Sequence, residues 1–242
     1  MFKNKYTLTT WILLGTNALL IVWIFIHWQQ DRKHNQQPQQ VSNNINYSFS
    51  QNPNFSEQLD LNTLYNKPVK IAMLGNSLTY KVNWNELLER NDIANLGIGS
   101  DITAGYLHRI QTVISLHPSM VCIEGGINDI ALDLAPAKTL KHIQQLVDTF
   151  RQYKITPILH TILPVHANYP VSLRINEKVW GVNQAIIKYA TEKHIQLIDL
   201  TPLLSANGFL RSDFVQQDGI HLKASAYRIW AQQLKQLIQS FK

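Results

Sequence analysis

VKIAMLGNSLTY, residues 69–80, passes from a six-residue apolar run into a small-residue turn that leads toward a helix. A short buried strand closed by a Gly-containing turn has this form. Working outward, four more apolar runs of similar length appear: IANLGI (93–98), MVCIEG (120–125), TPILHTI (156–162) and IQLIDL (195–200). Amphipathic patterns separate them near 83–90, 103–116, 136–153 and 173–192, and a last one covers 223–240. Asn83, with Glu86 three residues later, predicts a capped start for the first of these helices. The alternation predicts an α/β domain with a doubly wound, mostly parallel five-stranded sheet flanked by helices.

Composition narrows the possibilities. Of the 242 residues 45% are hydrophobic and 16% charged, enough for one sizeable core and too apolar for a disordered chain. The single cysteine, Cys122, rules out a disulfide framework and a Cys-rich zinc site, and its apolar neighbours predict a buried thiol. The net charge of +6 does not point to nucleic acid. Residues 1–55 hold four basic residues against one acidic, which leaves 18 basic and 15 acidic residues scattered over the remainder. No basic patch of the kind phosphate backbones require is present.

The N-terminus carries a different signal. WILLGTNALLIVWIFIHW, residues 11–28, is apolar on all sides, has tryptophans at both ends and is about long enough to span a hydrocarbon core. No small-residue cleavage site follows it, so an uncleaved transmembrane signal anchor is expected after a cytoplasmic segment, residues 1–10. Lys3 and Lys5 before the span favour a cytoplasmic N-terminus and an extracytoplasmic remainder. Residues 29–60, rich in Gln and Asn, are expected to form a flexible tether ahead of the catalytic domain, 61–242.

In open α/β sheets ligands bind beyond the carboxyl ends of the strands, so the residues that follow each strand are the ones to inspect. Ser77 follows the first strand in a Gly-Asn-Ser turn, where backbone donors could face a developing oxyanion. Alone, such a serine reads more readily as a helix cap in a plain strand-to-helix turn. Gly99 and Ser100 follow the second strand in a small-residue loop, and Asn128 follows the third with an amide able to donate. Asp218 and His221 stand three residues apart before the last helix. At that spacing a carboxylate can hold Nδ1–H of the imidazole and leave Nε2 free to take a proton from a hydroxyl. Each feature has an ordinary turn reading, but all fall at the same predicted edge of one sheet.

With these blocks in order, the chain from Val69 onward resembles the SGNH, or GDSL-type, hydrolases. GNSL (75–78), NLGIGSD (95–101), GIND (126–129) and DGIHL (218–222) correspond to its four blocks. The resemblance implies Ser77 as nucleophile, His221 as general base, Asp218 as the orienting carboxylate, and Ser77 N–H, Ser100 N–H and the Asn128 amide as oxyanion donors. Asn76 stands where the family usually has Asp, and Ser100 where it usually has Gly. The first departure removes a charge beside the nucleophile; the second preserves the N–H and changes the room around it.

The expected activity is ester hydrolysis through an acyl-enzyme. The partner is a small-molecule, glycan or lipid acyl ester, with O-acetyl on envelope carbohydrate ahead of lysophospholipid. An acyltransferase on the same triad and a non-catalytic, membrane-tethered carbohydrate-binding module are the alternatives. His166, Tyr169 and Arg174, in the segment after the fourth strand, are candidate substrate contacts, and His160 should flank the same pocket. His108, His117, His142 and His194 read as surface or boundary residues, and no histidine pair has metal-ligand spacing, so neither metal nor cofactor is expected.

Overall fold

The structure, a computed structural model, describes residues 47–239. A 3₁₀ turn, Phe49–Gln51, precedes helix α1, Pro53–Asn62. The elements then run β1 (Ile71–Gly75), α2 (Ser77–Tyr80), α3 (Trp84–Leu88), β2 (Ile93–Gly97), α4 (Thr103–His108), α5 (Ile110–Ile114), β3 (Met120–Ile123) and α6 (Ile127–Ala131). After them come α7 (Pro136–Gln152), β4 (Thr156–His160), α8 (Ser172–Glu192), β5 (Gln196–Ile198), α9 (Thr201–Leu204), a small hairpin of β6 (Ser205–Ala206) and β7 (Phe209–Leu210), and α10 (Ala224–Gln239). The five strands expected from the apolar runs all form, each within a few residues of its expected bounds.

Strand order is β2-β1-β3-β4-β5, with every neighbouring pair parallel. Successive residues of a strand face opposite sides, so β1 feeds two cores. Ala72 and Leu74 lie with Leu146, Val147, Phe150 and Ile186 from α7 and α8. Ile71 and Met73 lie with Trp84, Trp230 and Leu234 from α3 and α10. Cys122 belongs to the second core, where burial pushes its thiol up to about 12. The chain winds from β1 outward to β2 and then back across to β3. The carboxyl ends of β1 and β3 therefore flank the topological switch point, the place where doubly wound sheets bind ligands.

Two expectations change. The helix expected over 103–116 is split at Arg109 (φ −101°, ψ 18°), whose side chain turns into the interior to meet Asp101 and two strand-end carbonyls. The expected tether, 29–60, is folded over its last part. Asn52 caps α1, Pro53 opens it, and Phe55 is buried and rests against Phe49 and His108 at ring distances of 4.9 and 5.9 Å. The apolar stretch 11–28 lies outside the described residues; among those described, no helix is long and apolar enough to cross a membrane.

Candidate active site

Ser77 opens α2 directly after β1. Asn76 caps that helix, its Oδ1 accepting from Leu78 N–H at 2.8 Å. At the first helical position the N–H of Ser77 has no partner within the helix. On the far side, DGIH folds into a tight turn with Gly219 in the left-handed region (φ 78°), where a Cβ would meet Asn168 Oδ1 at 2.5 Å. That turn points the Asp218 carboxylate back at its own loop, to accept from N–H of Ile220 (3.1 Å) and His221 (2.9 Å).

The three side chains expected to act together are in contact. His221 Nδ1 lies 2.6 Å from Asp218 Oδ2, and His221 Nε2 lies 3.0 Å from Ser77 Oγ. Partial burial raises the Asp218 carboxyl, but the His221 side chain and the two backbone donors outweigh it and hold Asp218 below its ordinary value. An ionised Asp218 accepts from Nδ1–H, which fixes the tautomer and leaves Nε2 as acceptor for the serine hydroxyl. Tyr227 on α10 donates to Leu78 O at 2.7 Å, so the helix that follows His221 also grips the helix that starts with Ser77.

Ser100 is exposed and left-handed (φ 59°), which accounts for the glycine usual there in the related hydrolases. Asn128, in α6, donates one amide hydrogen to Asp101 O at 2.8 Å and retains a second. Arg109 joins these pieces. Its Nε donates to Asp101 Oδ2 at 2.9 Å, Nη1 to Leu96 O at 2.6 Å and Nη2 to Gly75 O at 3.1 Å. Burial pushes Asp101 up to about 6 against the downward pull of Arg109. One buried cation thus fixes the ends of β1 and β2 and the loop beyond Ser100.

Under the Ser77 turn lies a carboxyl that sequence reasoning missed. Glu124 at the end of β3 accepts from Asn76 Nδ2 at 3.1 Å and Thr79 Oγ1 at 3.0 Å. Burial pushes it up to about 7, although both donors pull it down. The remaining candidates divide. His166 N–H donates to Gly219 O at 2.8 Å, and Tyr169 packs on Gly219, so both border the Asp218 turn. Arg174 stands exposed on α8 near Asp133, and among the described contacts none joins it to Ser77, Asp218 or His221. His160 is buried rather than pocket-lining: it contacts Ile123 O at 3.2 Å through Nδ1, accepts from Trp230 Nε1 at 3.0 Å, and is pushed down to about 4 by burial. His142 meets Thr103 Oγ1 at 2.8 Å. Among the described residues no cluster of three or more His, Cys, Asp or Glu could hold a metal ion.

A doubly wound sheet with a serine, a histidine and an aspartate gathered at its switch point has the architecture of an α/β hydrolytic enzyme. Residues 73–229 match the GDSL-like lipase/acylhydrolase family, and the chain belongs to it. It is similar to a GDSL-like lipase from Bacteroides thetaiotaomicron (25% identity, TM-score 0.68, 78% of this chain and 98% of that one). It is also similar to the lipase/acylhydrolase from Enterococcus faecalis (22%, 0.60, 71% and 96%) and to an acetyl xylan esterase (21%, 0.57, 70% and 100%). No curated protein matches. The chain is a carboxylic ester hydrolase.

Proposed function

We propose that the chain is a serine esterase working through an acyl-enzyme on Ser77. The carrying observation is the pair of short contacts that link Asp218, His221 and Ser77. In the first half-reaction Ser77 Oγ attacks the acyl carbon while its proton passes to His221 Nε2. The carbonyl oxygen becomes an oxyanion facing Ser77 N–H, Ser100 N–H and the Asn128 amide. Collapse breaks the ester bond, and the departing alkoxide takes the proton from His221. Water then attacks the acyl-enzyme, gives its proton to His221 and releases the acid, and the proton returns to Ser77 Oγ.

The site is open: the Asp218 side chain is 48% exposed and that of His221 23%. A long acyl chain would need extended apolar cover to gain from binding. An open, polar site suits a short acyl group on a larger polar carrier, so the substrate class is O-acetylated carbohydrate ahead of lysophospholipid. Purified full-length chain should cleave acetyl aryl esters and acetylated oligosaccharide faster than long-chain aryl esters, and Ser77→Ala should cleave neither. A preference that rises with chain length would replace the carbohydrate reading with a lipid one.

Residues 11–28 would anchor this domain outside the cytoplasmic membrane, through an uncleaved helix and the 29–46 segment. Their apolar character and flanking charges support this reading. Protease treatment of intact spheroplasts should release an active soluble fragment; a fully protected domain would reverse the orientation.

A further inference from the structure

The 3₁₀ turn and α1 precede residue 73, where the family match begins, yet they lie on the loop that carries Ser100. Asn52, only 3% exposed, joins the turn to α1, and its two amide atoms do different work. Oδ1 accepts from Asn54 N–H at 3.0 Å and caps α1, whereas Nδ2 donates to Gly99 O at 2.8 Å, across 47 residues of chain. Asn54 also lies over the loop, its Nδ2 being the nearest atom, at 3.5 Å, to a Cβ built on Gly99. The turn and helix are secured by Phe49, Phe55 and His108, whose rings stand 4.6 to 5.9 Å apart. Behind them, Phe55 fits against Gly105 so closely that a Cβ there would come within 2.9 Å of its ring.

Gly99 O and Ser100 N belong to one peptide plane, so a donor held on that carbonyl fixes the direction in which the adjoining N–H points. Ser100 sits at φ 59°, a conformation a non-glycine residue leaves unless its surroundings hold it. The interior side of the loop is held by Arg109 and Asn128 through Asp101. Asn52 supplies the corresponding bond on the Gly99 side.

We propose that Asn52 is a positioning residue for ester hydrolysis, its Nδ2–H on Gly99 O aiming the Ser100 N–H at the oxyanion. The proposal rests on the reading of Ser100 N–H as an oxyanion donor. The segment between the N-terminal stretch and the catalytic domain thereby completes the site, and a truncation at residue 56 would remove part of the machinery along with the linker.

Two substitutions separate this role from helix capping. Asn52→Asp and Asn52→Ser each retain an N-cap acceptor; the carboxylate has no hydrogen to donate to Gly99 O, and the serine hydroxyl, one bond shorter, falls back from it, so one variant adds a charge and the other remains neutral. In the full-length chain, with an aryl acetate as substrate, both should lower kcat about tenfold with KM within about twofold, because the donor is lost in the transition state rather than in ground-state binding. Amide hydrogen exchange at Asp101, whose N–H is bonded to Ile98 O, should quicken about tenfold in both, with α1 amides little changed. Wild-type kcat in both folded variants, or a loss confined to Asn52→Asp, overturns the proposal, the latter because charge alone would then explain it. Run alongside, Asn128→Ala and Ser77→Ala test the parent reading. If these two lose activity and the Asn52 variants do not, the inference alone fails. If Ser77→Ala keeps wild-type activity, both fail.

Discussion

Asn76→Asp restores the residue usual in the related hydrolases, and in this chain it sets two carboxyls against each other. Asn76 is fully buried, with Nδ2 3.1 Å from Glu124 Oε1, and Glu124 is 6% exposed. Two negative charges at that separation repel by about 5 kcal/mol at an effective dielectric of about 20, equivalent to about four pKa units. The pair therefore keeps one proton, shared between the acids, and Glu124 O–H replaces the lost Asn76 donor. Turnover at neutral pH should stay within about tenfold of wild type, a barrier change of at most about 1.4 kcal/mol.

Stability carries the clearer signature. An acid whose folded pKa is raised contributes stability that is full below its unfolded pKa and lost as pH rises through its folded pKa. In the wild type Glu124 accounts for such a loss between its unfolded value of about 4.3 and about 7, and for none beyond. In Asn76→Asp the shared proton persists past that limit, so the variant should lose about 1.4 kcal/mol per pH unit relative to wild type between pH 7 and 9. Urea denaturation of residues 42–242 at pH 6, 7, 8 and 9 reads this directly, and adding Glu124→Gln should abolish the extra slope. A difference between variant and wild type that does not vary with pH from 7 to 9 would refute the coupling.

Asn128→Ala should lower kcat by about a hundredfold or more, with KM little changed, through loss of an oxyanion donor; steady-state kinetics on an aryl acetate checks it, and a smaller loss than for Asn76→Asp would contradict the assignment. Arg109→Met should destabilise the domain by about 3–5 kcal/mol in urea denaturation, because it strands the fully buried Asp101 carboxylate and two strand-end carbonyls. Pairing it with Asp101→Asn should recover part of that loss.

Much of this architecture was legible in the sequence because strands buried on both faces leave apolar runs, and the residues after them are where an α/β sheet must place its chemistry. Ser77, Asn128, Asp218 and His221 were singled out in that way, and the structure brings Ser77, His221 and Asp218 into contact. Glu124 was not: in MVCIEGG it looks like the polar end of a strand, and only the fold reveals Asn76 and Thr79 beside it. Arg109 continued a helical pattern, and nothing local signals that its guanidinium turns inward. Residues 47–62 were hidden by composition, since Phe49 and Phe55 find their partner in His108, distant in sequence. One missed element did carry a local signal. Asn207 and Gly208, both at positive φ, form the two-residue turn between β6 and β7 that an Asn-Gly pair favours.

The central claim, that Ser77 carries the acyl group, is tested most directly by trapping the nucleophile. An aryl alkylphosphonate, which leaves a stable tetrahedral adduct on an activated serine, should inactivate the full-length chain in step with the gain of one phosphonyl group. Peptide mass mapping should place that group on Ser77, and Ser77→Ala should take up none. Modification of another residue in step with inactivation, or full esterase activity in Ser77→Ala, would contradict the account.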